Sequence, residues 1–328
     1  MKISKLSSLF LRVFLLSSVF SLAVACQDNK KKDTDEKSET ATEEKKVKEE
    51  SPLDLVTIVT NAMEFKTKED WTSGWKTVRY RNNSNETHFI LFDKYPEGKT
   101  IEDAEKEVGP AFQEGMDLIA AGEMEKANEA FGKLPEWFQQ VEFTGGVGLI
   151  SPKSTAQSTF YLEPGTYVIE CYVKMANGVF HNTQGMAMQI NVSEADSSAV
   201  DIQEDYNISI SANEGITFNE RFSPGEKVFK VNFGEQKVHE NFVMHDVHLV
   251  RTEDGADMSK LNSWLNWADP NGFKTPAPEG FKFLGGMQEM KEGGTGYFTA
   301  ELRPGNYVLV SEIPDPESKG MLKTFTVK

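Results

Sequence analysis

Leu162-Glu163-Pro164-Gly165-Thr166-Tyr167-Val168 returns 140 residues later (302 minus 162) as Leu302-Arg303-Pro304-Gly305-Asn306-Tyr307-Val308. In each copy a leucine ends one run, Pro-Gly turns the chain, and Tyr-Val opens the next run. Apolar runs bounded by such turns are the mark of antiparallel strands, and recurrence at a fixed offset means one supersecondary unit present twice. Gly145-Gly146 and Gly285-Gly286 keep the same offset of 140 (285 minus 145). Upstream, His88 and Gly98 align with His245 and Gly255 at 157 (245 minus 88), so the first copy carries 17 further residues (157 minus 140) between Gly98 and Gly145. Within that insertion Thr100-Ile101-Glu102-Asp103 resembles a capping box. Phe112, Met116, Ile119, Met124, Ala127 and Phe131 recur near a helical period around Gly122, which predicts a small helical hairpin over one end of a β-sandwich.

Working outward, strand-like runs at 75–81, 87–92, 159–161, 167–172 and 188–192 are bounded in many cases by Gly, Pro or Asn. The fold class expected is all-β, with two tandem sandwiches, the first carrying the helical insertion. Leu261, Trp264 and Trp267 are expected to pack a short helix on the second sandwich.

After the first Pro-Gly turn the chain reads Glu170-Cys171-Tyr172, then His181 after a gap of nine residues, then Met186 after four more. One loop therefore holds a thiol, an imidazole and a thioether. With a second imidazole from a neighbouring strand, for which His88 is the candidate, they form the trigonal His2Cys set with a weak axial Met that suits an electron-transfer copper. Singly, Cys171 is a small buried hydrophobe, Met186 a gap-filler and His88 an ordinary strand-end histidine. The second copy acts as an internal control. Gly185-Met186 aligns with Gly320-Met321 at 135 (320 minus 185), so five residues (140 minus 135) are missing from that loop, the His181 counterpart among them. Ser311 stands where Cys171 would be. The scaffold residues are kept in both copies and the ligand set in one.

At the N-terminus, Lys2 and Lys5 precede an apolar stretch ending Leu22-Ala23-Val24-Ala25-Cys26. Residues 1–25 resemble a bacterial lipoprotein signal, which implies a lipid on Cys26 as the membrane anchor. Residues 26–52 are almost wholly charged or small polar after Cys26, the composition of a disordered tether. The expected organisation continues with a first domain over 53–195, a linker over 196–204 and a second domain over 205–328. With Cys26 lipidated, Cys171 is the remaining thiol, and no intramolecular disulfide is expected. Lys and Arg number 35 against 51 Asp and Glu, a net charge of −16. That balance disfavours nucleic acid and anionic lipid surfaces and favours a basic protein partner.

Pro164 to Cys171, then His181-Asn182-Thr183-Gln184-Gly185-Met186 with its His-x3-Gly-Met spacing, and Asn82 to Asp93 around His88 together resemble the cupredoxin family of blue copper proteins, the last stretch being similar to plastocyanins. The resemblance implies Greek-key β-sandwiches and a type 1 copper held by His88, Cys171, His181 and Met186. It further implies electron transfer in the cell envelope, on an outer-membrane lipoprotein facing the periplasm or the surface, with a cytochrome-like redox partner. His181 would be the electron port, ringed by Phe180, Val179 and Met175 as an apolar docking patch. In related copper enzymes a second copper needs histidines where this chain has Asp93 and Glu170, and a His-Cys-His run where it has Glu170-Cys171-Tyr172. The chain is therefore expected not to be an enzyme. A copper-delivery lipoprotein and a metal-free interaction module remain as alternatives.

Overall fold

The computed structural model describes residues 53–195, 200–239, 242–267 and 269–328. The expected signal, Cys26 and the tether lie outside the described residues, as does part of the expected linker. The all-β expectation holds: the described strands form two sheets, with a small helical insertion in the first half.

The first sheet has seven strands in the order β1 (Asp54–Thr60), β3 (Gly74–Asn82), β6 (Ser154–Leu162), β14 (Thr295–Leu302), β11 (Gly225–Phe233), β9 (Tyr206–Ser211) and β10 (Gly215–Thr217). The second has nine: β16 (Leu322–Val327), β15 (Gly305–Val310), β12 (Val247–Thr252), β13 (Phe281–Met287), β5 (Glu142–Ile150), β4 (His88–Lys94), β7 (Gly165–Glu170), β8 (Ala187–Ser193) and β2 (Asp70–Thr72). Both sheets run without a break from one sequence copy into the other. In the first, β6 meets β14 with Ser158 opposite Phe298; in the second, β5 meets β13 with Val147 opposite Met287. Each of these residues pairs with its own counterpart at the offset of 140 (298 minus 158, 287 minus 147), so the joint is locally two-fold. Backbones approach closely there: a Cβ on Gly148 would stand 2.9 Å from the Gly286 Cα.

The repeated Pro-Gly-x-Tyr has a structural purpose in both copies. The Tyr167 hydroxyl donates to the Glu163 carbonyl at 3.0 Å, and Tyr307 donates to the Arg303 carbonyl at 2.7 Å, each bond tying a turn to the strand that follows. Alternation is clean in β9, where Tyr206, Ile208 and Ile210 are buried and Asn207 and Ser209 exposed. Central β4 reads His-Phe-Ile-Leu-Phe-Asp-Lys, nearly continuous in apolar residues, and it is buried along almost its whole length because both of its faces are covered. One contiguous core includes Val78, Phe92, Phe160 and Ile190 of the first half and Ile208, Phe229, Leu249 and Phe298 of the second.

The insertion forms α1 (Ile101–Glu107), α2 (Gly109–Ala120) and α3 (Met124–Phe131), followed by a 3-10 turn at Glu136–Gln140. Thr100 N–H donates to the Asp103 carboxylate at 3.0 Å, which satisfies a donor that the first turn of α1 leaves free. The hairpin bends at Gly122 (φ 79°), and Gly115 on α2 leaves room for the Phe131 ring, which a Cβ would meet at 2.4 Å. In the second half, α4 (Met258–Leu265) buries Leu261, Trp264 and Leu265, as its apolar spacing predicts.

Candidate metal centre

Three of the four predicted ligand residues come together. His88 opens β4, Cys171 follows directly on β7, and His181 leads into a 3-10 turn at Asn182–Gln184. All three are fully buried. Nδ1 of His88 lies 3.2 Å from Nδ1 of His181, and Cys171 Sγ lies 3.8 and 4.0 Å from those two nitrogens. Sides of 3.2, 3.8 and 4.0 Å put the point equidistant from the three atoms about 2.1 Å from each, against about 2.0–2.1 Å for a metal–imidazole bond and about 2.3 Å for a metal–thiolate bond. The donor set therefore fits one metal ion in the plane of two nitrogens and a sulfur.

Each imidazole is oriented by a second contact. His88 Nε2 lies 2.9 Å from the Ser84 hydroxyl, and that hydroxyl donates in turn to Asn82 Oδ1 at 2.6 Å. Ser84 Oγ thus accepts the Nε2 proton, and Nδ1 keeps its lone pair toward the cluster. His181 Nε2 lies 3.0 Å from Glu86 Oε2, and neither atom has a hydrogen-bond partner among the described residues. A carboxylate behind an imidazole is the usual support of a metal-binding ring. Both supports come from the turn between β3 and β4, which Asn82 closes by donating to the Glu86 carbonyl at 2.7 Å.

Met186 is fully buried beside Cys171: the Cys171 N–H donates to the Met186 carbonyl at 3.0 Å, and the Met186 N–H donates to the His181 carbonyl at 3.0 Å. Gly185 before it has φ 110°, and a Cβ there would meet the Met63 carbonyl oxygen at 2.7 Å, so the backbone path dictates a glycine at that position. The same closure survives in the second copy, where Ser311 N–H donates to the Met321 carbonyl at 3.0 Å.

Burial, reinforced by the facing His181, holds His88 down to about 3, and burial holds His181 down to about 4. Both rings are neutral near pH 7, with lone pairs available. Burial pushes the Cys171 thiol up to about 12, so ionisation requires a cation at the site.

The expected docking patch is not present as drawn. His181 is fully buried, and so is Phe180, whose ring stacks on Trp267 at 5.9 Å and 21°. Met175 and Val179 are half-buried. Trp267, read from the sequence as packing for the second half, reaches across to cover the loop of the first, and Glu86 closes the other side of His181.

Sequence reasoning also missed a buried polar network in the second copy. Asp246, His248 and Glu312 each offer an atom within 4.8 Å of the others. The Ser311 hydroxyl and the Glu312 N–H donate to Asp246 Oδ1 at 2.7 and 2.9 Å, while Tyr172 donates to Glu312. Ser311 at the Cys171 position and Asp246 at the Phe89 position thus replace a thiol and a ring with a hydrogen-bonded pair. Leu149 N–H donates to His248 Nδ1 at 3.1 Å, which leaves the ring's proton on Nε2, against Asp246. Burial opposes charge on His248, and Asp246 and Glu312 outweigh it, lifting the ring to about 9. His245 departs to another environment, with Nε2 3.0 Å from Nε2 of His239. His245 precedes β12, outside the strand that carries His248; the carboxylates that meet His248 had no sequence signal beyond their place in the repeat.

No family model matches this chain, and no curated protein matches it. Among solved structures it is similar to auracyanin A, described as a "blue" copper protein from the green thermophilic photosynthetic bacterium Chloroflexus aurantiacus, at 19% identity over 43% of this chain and 98% of that one, with a TM-score of 0.24. It is similar to a multicopper oxidase at 11% identity over 84% of this chain and 88% of that one, TM-score 0.22. It is similar also to the copper nitrite reductase of Nitrosomonas europaea at 12% identity over 84% and 93%, TM-score 0.23. The expectation that the chain is not an enzyme is withdrawn: the solved structures it is similar to include a multicopper oxidase and a copper nitrite reductase, and the likeness assigns no activity to this chain.

Proposed function

We propose that this chain is a type 1 copper protein of the cell envelope that transfers electrons, in which His88, Cys171, His181 and Met186 would hold the copper. The observation that carries this reading is the triangle of two Nδ1 atoms and one Sγ, sized for a single ion. A two-imidazole, one-thiolate plane selects copper among the common metals, and a bound copper supplies one-electron chemistry there. The chain supplies the rest. Ser84 and Glu86 hold the rings with Nδ1 inward, the backbone bonds between Cys171 and Met186 keep the loop closed, and Phe180 under Trp267 excludes water. Ligands fixed in this way move little when the charge at the site changes, which favours fast exchange of one electron.

The same reading assigns residues 1–25 to a lipoprotein signal, Cys26 to lipidation and 26–52 to a tether, with domains over 53–195 and 205–328, and places the anchored protein on the outer membrane. Its net charge of −16 supports a basic, cytochrome-like redox partner.

Titration of the full chain with cupric ion tests the centre. An intense visible thiolate-to-copper absorption is expected at one equivalent, absent in Cys171→Ser, with a reversible one-electron wave in voltammetry. A colourless titration, or colour that persists in Cys171→Ser, rejects the reading.

A further inference from the structure

The second copy lacks the thiol and one imidazole of the first. Ser311 stands at the Cys171 position with its hydroxyl donating to Asp246 at 2.7 Å, and the loop that would carry a His181 counterpart is shortened. His245, at the His88 position, is fully buried and meets a different ring through its other nitrogen. Its Nε2 lies 3.0 Å from Nε2 of His239, whereas His88 meets His181 through Nδ1. His239 belongs to the connection from β11 to β12 and is held there by its N–H, which donates to the Val243 carbonyl at 2.7 Å.

The two histidine pairs have nearly the same geometry. Ring centroids are 5.2 Å apart at 57° for His239 and His245, against 5.0 Å at 59° for His88 and His181. Metal–imidazole bonds of about 2.0–2.1 Å span a gap of 3.0 Å at an angle of about 91–97°, close to that between neighbouring corners of a square. A tetrahedral ion would hold the two nitrogens about 3.3 Å apart. Square-planar ligation by nitrogen and oxygen is that of Cu(II) or Ni(II), and copper is the more tightly bound of the two.

Access and tautomer both suit an ion at this place. The two rings line a pocket of about 470 Å³, shared with Glu214, Ser318 and Met321, and exposed Glu214 and Ser318 open it to solvent. Of the two lysines in its lining, Lys319 donates to the Pro314 carbonyl, and Lys237 is exposed, where salt screens its charge. His245 Nδ1 has no hydrogen-bond partner, so the ring's proton can sit there and leave Nε2 bare without breaking another bond. The cluster of Asp246, His248 and Glu312 lacks that choice, because Nδ1 of His248 already accepts from the Leu149 N–H.

We infer that His239 and His245 form a second metal site, on the solvent side of the second half, which binds one cupric ion between their Nε2 atoms with water at the remaining positions. No thiolate takes part, so the bound ion is pale, and the open pocket lets it exchange with a chelator in solution. The inference uses residues of the second half alone and is independent of the copper reading of the first.

Titration of the full chain with cupric ion at pH 7, followed by calorimetry and electron paramagnetic resonance, is the test. The wild type is expected to take one pale ion in addition to any that develops thiolate-to-copper absorption, and folded Cys171→Ser is expected to keep it. His239→Gln, at a half-buried loop position, should weaken the pale ion at least 10-fold and leave any thiolate absorption unchanged. No pale ion on the folded wild type, its loss in folded Cys171→Ser, or equal binding in folded His239→Gln overturns the inference. If His239→Gln does not fold by circular dichroism, the wild type decides: paramagnetic broadening of the His239 and His245 ring signals by the pale ion supports the site, and unbroadened signals overturn it.

Discussion

The Ser84 hydroxyl lies 2.9 Å from Nε2 of His88, and that contact decides which nitrogen of the ring faces the cysteine. Ser84→Ala removes the acceptor, leaving a buried N–H unpaired at a cost of about 1–3 kcal/mol and the ring free to change tautomer. Copper affinity is expected to fall by about 10–100-fold, as for other contacts that orient a ligand, in a chain that still folds. Competition against a chelator of known affinity measures the change. An unaltered affinity in a folded Ser84→Ala chain would show that Ser84 does not set the ring.

Metal capture should release a proton. The Cys171 thiol is pushed up to about 12, while both imidazoles are already neutral at pH 7. Calorimetry in buffers of differing ionisation enthalpy is expected to give roughly one proton per ion. A value near zero would mean that the thiolate exists before the metal arrives, or that sulfur takes no part.

Glu312 makes stability depend on pH in the direction opposite to a salt-bridged carboxylate. Burial, then the neighbouring Asp246, raises it to about 7. The folded chain holds a proton that the unfolded chain gives up, so the contribution is complete below about pH 4.5 and is lost as pH rises through about 7, on the order of 3 kcal/mol in total. Glu312→Gln keeps the shape and an acceptor for Tyr172 without titrating. Thermal melts at pH 5 and pH 8 should show the wild type losing more stability than Glu312→Gln over that interval; an equal loss refutes the assignment.

Gly148 is needed for space. A Cβ there would stand 2.9 Å from the Gly286 Cα, backbone against backbone, where no side chain can turn aside. Gly148→Ala is expected to cost about 1–3 kcal/mol, read as a lower urea midpoint at unchanged slope. A midpoint within error of the wild type would show that the joint between β5 and β13 can open without loss.

Much of this was legible in the chain itself, because the signals are local. Pro164-Gly165 and Pro304-Gly305 set two turns, the tyrosines after them close those turns, and the helical period around Gly122 needs no partner to be seen. Cys171, His181 and His88 could be named by residue type and spacing, with the shortened second copy as the contrast. What could not be read depends on distant residues. The burial of Phe180 and His181 needs Trp267 and Glu86, the tautomer of His88 needs Ser84, and the meeting of Tyr172 with Glu312 needs the two halves to join. Neither periodicity nor motif encodes such convergence. An exposed port does not follow from a loop position, since a loop can be roofed by the other half of its own chain.

Ser158 facing Phe298 and Val147 facing Met287 have a consequence for how the halves are held. Because one rung of each seam joins a position to its own duplicate, a local two-fold axis runs through the joint and the rim of either half resembles the self-complementary patch of an isologous dimer contact. Cut apart, each half would bare two strand rims able to zip onto any identical rim nearby. Covalent continuity turns that risk into an intramolecular clasp whose strength does not vary with dilution, and it leaves one partner free to lose its ligands while still roofing the other's.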